Sequence, residues 1–405
     1  MSGVAGIKFF HWISGKFNLY FGHICYDAAM PILFKSKDRT FTGPAENGES
    51  HWNYYDRSAR PEAAKMRDKV EEMLSNYAEE HLPDLVSRLK SRNNDVFTSA
   101  MFELILHEML IKTGHTILAI EPEISTGDKR PDFLVQTPDG EKFYLEALSY
   151  AKLRQDEKAG NSIQNDFRNA VNEIDCDYYL DVKVTGLPKQ HPSQKKFKYA
   201  LQAWAKDLTD NERQAKARPF IWESNGLKVV AKALFKKVNP DGRNIGLEFG
   251  TPDFVPQDGG LKSALKTKMK KYGELDLPLC IAITPHKLFV DFDECINALF
   301  GNPAVSFDPD DIQGSVRNTR DDTGLWRSKA GRYTRCSAVL FFKGLTEWSM
   351  AKQVGKLIHH PEARYPLIGS SLPVQSFRLQ GEYLESESDE VPLGECLGLP
   401  FEWPE

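Results

Sequence analysis

Arg130-Pro131-Asp132-Phe133-Leu134-Val135-Gln136, the turn Thr137-Pro138-Asp139-Gly140, and Lys142-Phe143-Tyr144-Leu145-Glu146-Ala147-Leu148 decide how this 405-residue chain is read. Two short β-type runs separated by Pro, Asp and Gly predict a hairpin. With Pro138, Asp139 and Gly140 as a three-residue loop, Thr137 pairs with Glu141 and Asp132 falls opposite Glu146. Cross-strand partners on one face hold their Cβ atoms about 5 Å apart, close enough to grip one cation. A two-residue loop would slip the register by one and send Glu146 to the other face.

Two carboxylates converging without His or Cys make a hard, oxygen-rich site, which suits Mg²⁺ or Mn²⁺ rather than zinc. Such an ion can bind a phosphodiester oxygen, acidify an attacking water and neutralise the leaving oxygen. Upstream, Phe102-Glu103-Leu104-Ile105-Leu106-His107 sets Glu103 among apolar neighbours. A carboxylate there is costly unless paired or metal-bound, so Glu103 is a candidate third ligand, the other reading being a Lys or Arg partner or solvent.

Outward from the hairpin, Asn93-Asn94-Asp95 caps a helix over 97–112 that Gly114 stops, and 116–124 reads as a strand. After a polar loop over 154–161, Ile163, Phe167, Ala170, Val171 and Ile174 mark an amphipathic helix, and 178–184 a strand. This order predicts a mixed α/β sheet covered by helices. Further helices are expected over 61–77, 82–89, 194–208, 261–272 and 293–300, with strands near 220, 227–235, 279–284 and 337–342. The domain reading is an N-terminal extension over 1–95, a core over 96–187, an α/β elaboration over 188–375 and a flexible acidic tail over 376–405.

The Asp-hairpin-Glu arrangement behind a Glu-bearing helix resembles the PD-(D/E)xK nuclease superfamily, the restriction-endonuclease-like fold. The resemblance implies an α/β core of helix, three strands, helix and strand, with Asp132 and Glu146 as Mg²⁺ or Mn²⁺ ligands and Glu103 as an accessory. It also implies a Lys two residues after the Glu, where this chain has Leu148. Lys142, on the same face as Glu146, and Lys152, just past the strand, are the expected substitutes.

Lys and Arg total 52 against 57 Asp and Glu, a net charge of −5, which excludes a globally basic nucleic-acid coat protein but leaves room for a local basic cleft. Lys262, Lys266 and Lys270 recur every four residues, with Lys268 and Lys271 beside them, and read as a phosphate-contacting ridge or a solvated face. Lys189, Lys195, Lys196 and Lys198 form a second basic cluster. Gln164 and Arg168 share a polar helix face that could approach the cleft. The six scattered cysteines fit reduced thiols in a cytoplasmic protein, and His359-His360 reads as a solvated turn. The run over 9–34 is too broken by charge to span a membrane. The expected function is a metal-dependent nuclease acting on DNA, with RNA open as a substrate. The alternative is an inactive binding or scaffold module in a defence or repair assembly. A homodimer and a partner protein both stay open.

Overall fold

The computed structural model describes residues 33–124, 129–150, 155–188, 190–208, 218–236, 243–248, 260–286, 290–306, 316–327, 333–368, 372–381 and 383–405. Three helices come first: α1 (His51–Arg57), α2 (Pro61–Ser75) and α3 (Leu82–Leu89). Helix α4 (Asn94–Lys112) follows, capped by the Asn93 side chain on the Asp95 amide. It is apolar on nearly every side and accordingly sits inside the molecule.

Strands β1 (Thr116–Ile120), β2 (Phe133–Gln136) and β3 (Lys142–Tyr150) then form an antiparallel meander. Phe133 pairs with Leu145 and Gln136 with Lys142. The turn closes through Thr137 N–H on the Glu141 carbonyl (2.8 Å) and Gly140 N–H on the Thr137 carbonyl (2.9 Å). Gly140 has φ +91°, the left-handed backbone that favours glycine at this position. The hairpin therefore has the three-residue loop, and extending its ladder by one step sets Asp132 opposite Glu146.

The next two elements correct the expected core. Helix α5 (Gln155–Asn172) and β4 (Tyr178–Thr185) leave the first sheet and build a separate one with β5 (Phe220–Ser224), β6 (Leu227–Lys236) and β7 (Ile245–Glu248), in the order β5-β6-β4-β7. Helix α6 (Gln194–Asp207) lies beside α5. This unit has a core of its own, in which Phe167, Phe197, Leu201, Val182 and Val229 meet. Alternation explains why: β4 buries Leu180, Val182 and Val184 while the residues between them face outward, so one face suffices for α5 and α6.

The chain then returns to the first sheet through α7 (Gly260–Met269) and β8 (Leu279–Pro285), which lies parallel to β3. Gly260 approaches the Tyr150 hydroxyl so closely that a Cβ would collide with it, so the inserted unit leaves and rejoins at neighbouring points. Beyond α8 (Phe292–Phe300) and the ribbon β9 (Pro303–Ser306) with β10 (Arg317–Arg320) come β11 (Ala338–Phe341), β12 (Gly355–His359), β13 (Val374–Gln380) and β14 (Tyr383–Ser386). The main sheet runs β1-β2-β3-β8-β11-β12-β13-β14. Strands β8 and β11 are buried at every position, as strands covered on both faces must be.

The described residues of 376–405 are structured, which corrects the flexible-tail expectation. It completes β13, adds β14, and ends in α9 (Leu393–Leu397), whose Leu393 and Leu397 join the core beneath α4. His359 and His360 are buried as well. His359 Nε2 lies 2.9 Å from Ser376 Oγ, and the His360 ring packs on Trp326. Among the described residues no helix is long and apolar enough to cross a membrane, and Cys280, Cys295, Cys336 and Cys396 are free thiols. The run over 9–34 lies almost wholly outside the described residues.

Candidate functional site

Alternation along β2 and β3 divides their side chains between two cores. Phe133, Val135, Phe143, Leu145 and Ala147 pack toward α4, whereas Leu134, Tyr144 and Leu148 pack toward α7. Asp132 and Glu146 share the parity of the second set, so both belong to the α7 face. Leu148 is absorbed into the apolar packing of that face.

Glu146 is fully buried, and three side chains from α7 and the turn after it neutralise it. Lys268 and Lys271 both place Nζ on Oε1, Lys271 at 2.8 Å, and the Tyr272 hydroxyl donates to Oε2. Tyr272 Oη also contacts the Arg130 carbonyl at 3.1 Å, which ties α7 to the chain just before Asp132. Burial first, and then the Glu146 charge, push the Tyr272 hydroxyl far above its ordinary range, so it is a fixed donor.

Asp132 accepts from the Ala147 amide through Oδ2 at 2.5 Å. Its pKa is raised to about 7, chiefly by burial, then by the charges of Glu146 and Glu103; the Ala147 bond and the Lys268 charge pull the other way. Three acidic side chains and one ammonium thus feel one another at Asp132. Asp132 is therefore a carboxyl whose ionisation is opposed first by burial and then by like charge, and a bound cation would offset both.

Glu103 is a poorer ligand. Arg88 grips it with two bonds, Nη1 to Oε2 at 2.6 Å and Nη2 to Oε1 at 3.1 Å, while the Tyr77 hydroxyl donates to Oε1 at 2.7 Å. The pairing with Arg realises the structural alternative to metal ligation. Arg88→Ala should lower stability by about 2–3 kcal/mol by stranding that carboxylate. A urea midpoint that falls at constant slope would show it. Nearby His107 is buried and neutral, its pKa pushed down to about 4 by burial.

The remaining expected residues lie elsewhere. Lys142 is exposed at the hairpin end, opposite Gln136, about 13 Å along the strand from Glu146. Lys152 falls outside the described residues. Gln164 and Arg168 belong to the inserted unit, where Gln164 Nε2 donates to the Gly186 carbonyl at 2.6 Å and Arg168 bonds Asn165 and Gln164. Lys266 and Lys270 stay exposed and Lys262 half-buried on the outer side of α7. The lysines that reach the carboxylates are the two beside that row. Their signal is spacing: Lys268 precedes Tyr272 by one helical turn and Lys271 adjoins it, on the edge of the stripe formed by Leu261, Leu265 and Met269.

Among the described residues no group of three His, Cys, Asp or Glu side chains is gathered tightly enough to hold a metal ion. Asp132 and Glu146 bring two carboxylates, the donor type that Mg²⁺ takes. That ion keeps several waters and commonly takes only one or two carboxylates, with substrate phosphate supplying further oxygens. No known protein family, curated protein or solved structure matches this chain.

Proposed function

We propose that this chain is a Mg²⁺- or Mn²⁺-dependent nuclease that hydrolyses DNA phosphodiester bonds on a core of the PD-(D/E)xK type. The observation that carries the reading is an ammonium, Lys268, on Glu146, with Asp132 on the facing strand held to the Ala147 amide. The superfamily pattern asks for a lysine two residues after the Glu; here α7 delivers one to that carboxylate from another element. With the inserted unit set aside, α4, β1 to β3, α7 and β8 follow the helix, three-strand, helix, strand order.

Asp132 and Glu146 would hold the ion, which supplies an acidified water and charge neutralisation at the leaving oxygen. Lys268 orients the water and offsets charge developing on the phosphoryl oxygens. Tyr272 keeps Glu146 aimed, and Arg88 with Tyr77 fixes Glu103 as a nearby negative charge. Supercoiled plasmid and linear DNA incubated with Mg²⁺ or Mn²⁺ should be cut, and cutting should cease with EDTA. Lys268→Ala should slow it by about 10²–10³-fold; Lys142→Ala should leave it unchanged.

A second reading, a binding or scaffold module without catalysis, is favoured by the full burial of Glu146 and by the two ammoniums on one of its oxygens. Nucleic-acid binding with no metal-dependent turnover on DNA or RNA would select it.

A further inference from the structure

Basic residues are segregated in this chain. Between Lys183 and Arg243 there are fourteen Lys and Arg against five Asp and Glu, leaving 38 against 52 elsewhere. That stretch lies within the inserted unit, whose α6 buries Phe197, Leu201 and Ala205 against the sheet. On its opposite side, Lys196, Tyr199, Ala203 and Lys206 follow at intervals of three and four, with Lys195 one turn before Tyr199. This row faces solvent. Tyr199 is 80 % exposed, and Lys195, Lys196 and Lys206 have no acidic partner among the described residues. Neighbouring Lys198 is spent on Glu173 at 2.7 Å and stands outside the row.

An open ridge of unpaired ammoniums around a projecting aromatic ring matches a polyanion that also offers flat faces. We propose that the outer face of α6 docks single-stranded nucleic acid, with phosphates on Lys195, Lys196 and Lys206 and a base stacked on Tyr199. A duplex keeps its bases stacked on each other and could use only the lysines; an unpaired strand uses both parts. The tethers of the inserted unit join β3, which carries Glu146, and α7, which carries Lys268 and Lys271, so a strand held on α6 is tied to both walls of the carboxylate site. The inference rests on the nuclease reading for its purpose, and it is tested without cleavage.

Fluorescence anisotropy with labelled oligo-dT and a blunt duplex, in EDTA across 50–200 mM salt, provides the test. Tyr199→Ala should weaken oligo-dT binding by about 5–30-fold and duplex binding by less than twofold, and Tyr199→Phe should restore it. The triple variant Lys195→Ala, Lys196→Ala, Lys206→Ala should weaken both ligands at least tenfold and flatten the oligo-dT salt slope by about 2. All four positions are exposed, so unchanged melting temperatures accompany the expected result. Oligo-dT binding within twofold of the parent in both Tyr199→Ala and the triple variant overturns the proposal, as does equal loss on duplex and single strand in Tyr199→Ala. A protein that binds by this pattern but never cuts leaves the docking surface standing and removes the nuclease.

Discussion

Asp132→Asn is expected to abolish metal-dependent cleavage, by on the order of 10³-fold, while leaving the protein more stable at pH 8. The two effects share one cause. Asparagine keeps an acceptor for the Ala147 amide but removes a charge that burial, Glu146 and Glu103 all disfavour. Burial and like charge hold the folded carboxyl at about 7 against 3.8 for an ordinary aspartate, so the folded state holds the extra proton between those values. The contribution of this group to stability is therefore fully present below pH 4, declines as pH rises toward 7, and stays lost above it. Scanning calorimetry should place the variant about 1–3 °C above the parent at pH 8 and level with it at pH 4. Added Mn²⁺ should raise the parent melting temperature more at pH 8 than at pH 5.5, since the ion competes with that proton. Cleavage that survives Asp132→Asn would dismiss the site.

Glu146→Ala should act in the opposite sense on stability, lowering it by about 3–5 kcal/mol. The glutamate is fully enclosed, and its removal leaves two ammoniums and a tyrosine hydroxyl facing an apolar gap between β3 and α7. The loss should come from the stranded cations rather than from packing alone. Glu146→Leu combined with Lys268→Met and Lys271→Met should therefore recover most of the midpoint in urea while remaining inactive. A triple variant no more stable than Glu146→Ala would show that the ion cluster is incidental to how α7 is held.

The hairpin was legible because its register depends on local chemistry: a Pro-Asp-Gly loop, a glycine at positive φ, and a two-residue period on each side. The same period assigned Asp132 and Glu146 to one face. What stayed hidden was long-range. Strand β4 reads like a core strand, and nothing in its pattern distinguishes pairing with β6 from pairing with β3. The parallel neighbour of β3 comes instead from a strand beginning at Leu279. The lysine that stands on Glu146 is not near Leu148 in sequence; α7 brings it in from residue 268. The apolar surroundings of Glu103 are plain in the sequence, yet its partner Arg88 sits on a separate helix and no spacing announces the pair. The acidic run around Glu385 to Glu390 suggests a loose tail because the apolar side chains near it, among them Leu393 and Leu397, find their core only in the folded chain.

The route from β3 to β8 has a consequence for synthesis on the ribosome. The 128 residues between Tyr150 and Leu279 must be made before the central pair can form. At about 5–20 residues per second that takes roughly 6–26 s. Through this interval the nascent meander presents β3 as an open edge that includes an unmatched glutamate, while the inserted unit can already close on its own aromatic interior. Chaperone dependence should therefore peak before β8 emerges, and translation pauses in this interval should depress the yield of native protein most.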